Sequence, residues 1–180
     1  MNNSQLDGVE TEKTTRHVIQ GSHFVSSNPK IVLATILGSC VSACMWDPVE
    51  KVGGMNHFLL ARGANVGADG HRYGSHAMEL LINDILKRGG MRERLHVKLF
   101  GGAVMQSVFS HIGAKNAEFP LKFVHDEGFN LVSHSLLGVR ARRVKFNPTN
   151  GSAQQKYVEN NEVPVFSDTL SDSHNDVIFF

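Results

Sequence analysis

The sequence predicts an α+β fold, and three observations carry that expectation. Short runs rich in β-branched and aromatic residues recur through the chain, turn sequences join two pairs of them, and two longer segments show helical spacing instead. At 180 residues the chain is long enough for one domain with a substantial core. The expected organisation is a mobile polar leader over residues 1–15, a folded domain over 16–158 and a polar tail over 159–180.

Residues 16–20 and 22–26 are short extended candidates separated by Gly21. Ser27-Asn28-Pro29 breaks the chain before residues 31–37, whose continuous apolar, β-branched content suits a strand buried on both faces. Thr35 is its one polar side chain. The run stops at Gly38-Ser39, and Cys40 stands where the chain resumes. Residues 41–46 have strand composition, Asp47-Pro48-Val49-Glu50 has the chemistry of a β-turn, and residues 52–60 form the returning strand. If Asp47 and Glu50 close that turn, Cys40 falls directly opposite His57, with Cβ atoms roughly 4.5–5.5 Å apart.

That register carries chemical weight. A thiol with a pKa near ~8.5 is mostly protonated at neutral pH, and a neighbouring imidazole raises its thiolate fraction. Residue types alone equally allow a small buried core cysteine beside an ordinary strand histidine. Both readings stand at this point.

Residues 61–72 are rich in glycine and polar groups and are expected to form a loop, a candidate rim for a binding site beside His57. Ser75 suits the N-cap of a helix running to residue 88, with Ala77, Met78, Leu81 and Ile85 on one stripe and Lys87-Arg88 before Gly89-Gly90. Residues 95–100 alternate as a strand, and Gly101-Gly102 turns the chain into a short segment over 103–111. Phosphate-binding glycine patterns are missing there. A second helix is expected over 116–127, with Pro120 tolerable only in its first turn and Gly128 at its end. Strands follow at 129–136 and 140–146, and Thr149-Asn150-Gly151 turns into a last strand at 153–158. Arg140, Arg142 and Arg143 read as a solvated basic face. Val177-Ile178-Phe179-Phe180 ends the tail with apolar residues suited to docking on this or another protein.

Hydrophobic content of 41% and a net charge of +1 describe an ordinary soluble protein without the charge excess of a nucleic-acid binder. Ten histidines are scattered without HExxH or CxxC spacing, so neither a metal nor another cofactor is expected. Cys40 and Cys44 lie four apart on one extended segment, with Cα atoms roughly 13 Å apart and beyond disulfide reach. The N-terminus has no apolar signal core, and no run approaches the length of a membrane span. A reducing, cytoplasmic location without membrane insertion is the expectation.

Taken in order, these pieces resemble the CheD family of chemoreceptor glutamine deamidases over residues 17–158. The resemblance is carried by Leu37-Gly38-Ser39-Cys40-Val41, Trp46-Asp47-Pro48, Gly53-Gly54-Met55-Asn56-His57-Phe58-Leu59-Leu60, Lys98-Leu99-Phe100-Gly101-Gly102-Ala103-Val104-Met105, Ile112-Gly113 with Asn116, and Arg142-Arg143-Val144-Lys145-Phe146. It implies layered β-sheets packed against helices, as in the cytotoxic necrotising factor deamidases. It also implies a catalytic cysteine, histidine and threonine: Cys40 as nucleophile, His57 as base and Thr35 as the orienting residue. The implied substrates are glutamine side chains on the cytoplasmic helices of chemoreceptors, converted to glutamate through a thioester. A CheC-type chemotaxis phosphatase is the implied second partner. The chain departs from the family pattern at Ser75, where an aspartate is usual, and at Leu137-Gly138, where two glycines are usual. The alternatives kept are a chemotaxis adaptor with little catalysis, a cysteine peptidase or amidase, and a methylesterase side activity from the same acyl chemistry.

Overall fold

The computed structural model describes residues 13–60, 68–104, 110–158 and 178–180. Among the described residues, ten strands form two five-stranded sheets, and two α-helices cover one of them. The first sheet has the order β1 (Thr14–His17), β3 (Ile31–Leu37), β8 (Arg142–Phe146), β9 (Ala153–Tyr157), β10 (Ile178–Phe179). The second has the order β2 (Ser22–Ser26), β5 (Val52–His57), β4 (Val41–Asp47), β6 (His96–Gly101), β7 (Asn130–Leu136). Neighbours pair antiparallel except β1 with β3 and β6 with β7.

The layering follows from the period of two along β4, since alternate side chains leave opposite faces of a strand. Val41, Ala43 and Met45 pack with Met78, Leu81, Ile85, Phe119 and Val124, which come from the helices α1 (Ala68–Lys87) and α2 (Ser110–Asp126). Cys44 and Trp46 point the other way and pack with Leu33, Leu37, Val144 and Phe146 of the first sheet. The second sheet is therefore the middle of three layers, and every residue of β4 is buried.

Several elements differ from the sequence expectation, each for a tertiary reason. β1 begins at Thr14, inside the span expected to be leader, because its polar residues are held by parallel pairing to Ile31 through Ala34 rather than by burial. The rest of that leader lies largely outside the described residues. α1 starts at Ala68, so the expected loop over 61–72 is helical from 68 onward, and residues 61–67 lie outside the description. α2 runs continuously through Gly113 and Pro120 instead of starting at Asn116. Gly74 and Gly113, inside these helices, are points of close approach: an added Cβ would stand 2.6 Å from the Phe119 ring and 2.3 Å from the Ala103 carbonyl oxygen. Proline inside a helix costs about 3 kcal/mol. Burying Phe119 and Val124 against the second sheet contributes roughly 1.5–3 kcal/mol each and offsets that cost.

Arg142 is not part of a solvated face. It is 1% exposed, donates to the carbonyls of Ser135 and Leu137 and to the Ser135 hydroxyl, and lies over the Tyr157 ring. The tail's last residues dock on this protein: β10 extends the first sheet beside β9, and the Phe180 ring meets Phe100 edge-on at 5.7 Å.

Candidate active site

Thr35 lies on β3 between Leu33 and Leu37, both of which face the second sheet, so its side chain shares that face. His57 closes β5 two residues after Met55, which packs in the same layer between the sheets. The two side chains meet across the layer, with Thr35 Oγ1 2.9 Å from His57 Nδ1. Both are buried, at 4% and 7% exposed.

The direction of that hydrogen bond is fixed by a third group. The Thr35 hydroxyl has one proton and donates it to the Val18 carbonyl at 2.7 Å. It can only accept from His57, so the proton of the neutral imidazole sits on Nδ1, which also lies 3.3 Å from the Val18 carbonyl. Nε2 then carries the lone pair. It is buried and has no hydrogen-bond partner among the described residues. Burial pushes the His57 pKa below its ordinary value of 6.5, against the smaller raising effect of the Val18 bond. A neutral imidazole with one committed and one unoccupied nitrogen can take up a proton at neutral pH.

Cys40 sits in the bend between β3 and β4, partly buried and packed against the same layer between the sheets as Thr35 and His57. The hairpin register expected from the Asp47-Glu50 turn is corrected. Asp47 pairs with Val52 and Val41 with Phe58, two residues further along, because Pro48 through Lys51 form the turn and Lys51 takes a left-handed φ of 54°. Cys40 is therefore not directly opposite His57. A shift of two residues preserves the face, whereas a shift of one would have reversed it. Cys40 Sγ donates to Gln20 Oε1 at 3.4 Å, and the next residue, Gly21, donates its N–H to the His57 carbonyl at 2.7 Å. The thiol and the imidazole thus share a face, a layer and a tether.

The bend itself is held from below. Gly102 N–H donates to the Cys40 carbonyl at 2.7 Å and Ala103 N–H to the Gly38 carbonyl at 2.8 Å. Gly101, at φ 109°, permits this approach: a Cβ there would stand 2.2 Å from the Cys40 carbonyl oxygen.

Cys44 is fully buried in the layer between the sheets, and burial pushes its thiol pKa up to about 12. The two thiols therefore differ in kind: Cys40 borders solvent and Cys44 is core. No cluster of metal-ligating side chains occurs among the described residues.

Gln20 and the Val18 carbonyl were not legible in the sequence. A main-chain carbonyl has no residue signature, and Gln20 reaches Cys40 only through the pairing of β2 with β5. Asn116 was visible as part of a motif but without a role.

Residues 60–157 match the family model described as CheD chemotactic sensory transduction. Proteins named probable chemoreceptor glutamine deamidase CheD align with most of the chain. CheD 1 of Ruegeria sp. (strain TM1040) is 49% identical over 153 residues, covering 85% of this chain and 82% of that protein. The Cereibacter sphaeroides protein is 50% identical over 169 residues, covering 91% and 84%. The Caulobacter vibrioides (strain NA1000 / CB15N) protein is 50% identical over 150 residues, covering 82% and 80%. A solved structure, Neisseria meningitidis protein NMB0706, is similar with a TM-score of 0.46 and 12% identity over 70% of this chain and 64% of that one. At that level the likeness carries no argument.

Proposed function

The chain belongs to the CheD family, and from that premise we propose that it is a cysteine-dependent protein-glutamine deamidase acting on chemoreceptors. The observation that carries the proposal is the direction of the Thr35–His57 hydrogen bond, which leaves a buried Nε2 lone pair on the face shared with Cys40. The names of the relatives supply the substrate class.

His57 Nε2 takes the Cys40 proton, and the thiolate attacks the carboxamide carbon of a receptor glutamine. The C=O electron pair moves onto oxygen and forms a tetrahedral oxyanion. Its collapse breaks the C–N bond, and imidazolium donates its proton to the departing nitrogen, which leaves as ammonia. Water, deprotonated by His57, then attacks the thioester and releases glutamate while the proton returns to sulfur. Thr35 holds the ring throughout, keeping Nδ1–H committed and Nε2 available.

Two finer points of the proposal come from the sequence resemblance, a fold akin to the cytotoxic necrotising factor deamidases and a CheC-type phosphatase as second partner, while a cytoplasmic location comes from the cysteine usage and the missing signal core. The deamidase domain proposed over 16–158 gains β1 from Thr14 and β10 from the tail. The adaptor alternative gains no support from the relatives' names.

The test is mass spectrometry of chemoreceptor peptides after incubation of receptor with wild type or Cys40→Ala. Wild type is expected to convert specific glutamines to glutamate with stoichiometric ammonia, and Cys40→Ala to do neither. Conversion by Cys40→Ala at the wild-type rate, or backbone cleavage in place of side-chain conversion, would overturn the proposal.

A further inference from the structure

Asn116 lies on α2 with no exposed surface, yet both ends of its side-chain amide are engaged with the strands that carry the candidate site. Oδ1 accepts the Leu60 N–H at 2.8 Å, three residues beyond His57. Nδ2 donates to the Ser39 carbonyl at 3.0 Å, in the peptide that leads into Cys40. These partners fix the amide's orientation, since a main-chain N–H needs the oxygen and a main-chain carbonyl needs the nitrogen. One buried side chain thus joins the end of the His57 strand to the approach to Cys40.

The neighbouring peptides are held in the same manner. The carbonyls of Gly38, Ser39 and Cys40 are engaged in turn by Ala103, Asn116 and Gly102. In a planar trans peptide the C=O and the following N–H point in opposite directions. With the Ser39 carbonyl drawn toward α2, the Cys40 N–H is turned away from α2. Acyl transfer to a thiol builds negative charge on the former carbonyl oxygen, and the nucleophile's own N–H can stabilise that charge when its direction is set in advance.

We propose that Asn116 is a positioning residue: by holding the Ser39–Cys40 peptide it aims the Cys40 N–H as an oxyanion donor. This rests on Cys40 being the nucleophile, as in the proposed function. Asn116→Asp is the informative variant. It retains an acceptor for Leu60 N–H but replaces the donor to Ser39 with an oxygen that repels the carbonyl.

The test uses the full chain and two reagents that share the Cys40 thiolate but differ in the oxyanion. Iodoacetamide is attacked at a saturated carbon, so iodide leaves without an oxyanion. p-Nitrophenyl acetate transfers its acetyl group through one, with nitrophenolate leaving. Removing one oxyanion donor costs roughly 10²–10³ in rate, and a misaimed donor is expected to cost roughly 10- to 100-fold. Asn116→Asp is therefore expected to lose acetyl transfer by that factor, while the alkylation rate and its pH profile stay within about twofold of wild type. Asn116→Ala is expected to show the same split with a lowered melting temperature.

Acetyl transfer within about threefold of wild type in Asn116→Asp would overturn the inference. So would alkylation falling in parallel, which marks a merely structural role. Receptor deamidation measured alongside keeps the two readings distinct. A wild type that acetylates Cys40 but leaves receptor glutamines intact overturns the proposed function and not the positioning role.

Discussion

Thr35 Oγ1 accepts the Nδ1 proton of His57 across the layer between the two sheets, because its own proton is committed to the Val18 carbonyl. The catalytic consequence is a pH dependence. His57 must be neutral to receive a proton, and burial places its pKa below 6.5, so the neutral form dominates at and above that pH. The acid limb of kcat/KM for receptor deamidation is expected below pH 6.5. Thr35→Val removes the hydroxyl with little change of shape. A lost neutral hydrogen bond of ~0.5–1.5 kcal/mol corresponds to a roughly two- to tenfold lower kcat. An acid limb above pH 7, or a Thr35→Val variant with unchanged kcat, would contradict the assignment.

How much of this site the sequence disclosed depends on which interaction places each residue. β3 was legible to the residue because an unbroken apolar run bounded by Pro29 and Gly38 has one local explanation. The shared face of Cys40 and His57 came through as well, because the turn is longer by two residues, an even number that leaves the alternation intact. The register was not: Lys51 in a left-handed conformation lengthens the turn, and lysine gives no sign of it. Thr35 meets His57 through packing of one sheet on another, which no local pattern encodes. Family resemblance nominated it instead. The continuity of α2 was not legible either, because Gly113 stands inside the helix as a point of close packing rather than as a turn.

The two cysteines are expected to separate cleanly by chemistry. Cys44 is fully buried with a thiol pKa near 12, so its thiolate is scarce at neutral pH and a reagent cannot reach it. Peptide mapping after brief native treatment with iodoacetamide should find Cys40 modified and Cys44 unmodified. Cys44→Ala should retain at least about half the wild-type deamidation rate, since it removes only a small core group. A loss comparable to that of Cys40→Ala would show that the wrong thiol had been assigned.

Acid sensitivity is expected to trace to Asp47, at the far end of β4 from the candidate site. Burial alone would raise its carboxyl. The N–H groups of Met91 and Glu50, the Arg94 guanidinium and the Val49 N–H outweigh that and hold it below the usual carboxylate range. A depressed native pKa stabilises the fold fully above the unfolded value of ~3.9 and loses that contribution as pH falls through the native value. Asp47→Asn is expected to cost about 3 kcal/mol at neutral pH by leaving Arg94 and several N–H donors without their carboxylate. The gap between the denaturation curves of variant and wild type should narrow below pH 4. A pH-independent gap would show that the carboxylate's charge is not the cause.

Leu137 is expected to be a position where the chain can be stabilised by removing a side chain. It has φ 65°, a left-handed conformation that costs a residue with a Cβ about 1–2 kcal/mol. Its backbone cannot relax freely: its N–H donates to the Gly101 carbonyl at 2.9 Å, and its carbonyl accepts from Arg142. The side chain is 45% exposed, so little apolar burial opposes the change. Leu137→Gly relieves the strain but enlarges the unfolded ensemble, at ~0.5–1 kcal/mol. The net gain is expected to be about 0.5–1 kcal/mol, or roughly 1–4 °C in melting temperature for a chain of this size. Leu137→Ala keeps a Cβ and provides the contrast. It should show no gain, and a gain equal to that of glycine would assign the effect to lost surface hydrophobicity rather than to the backbone.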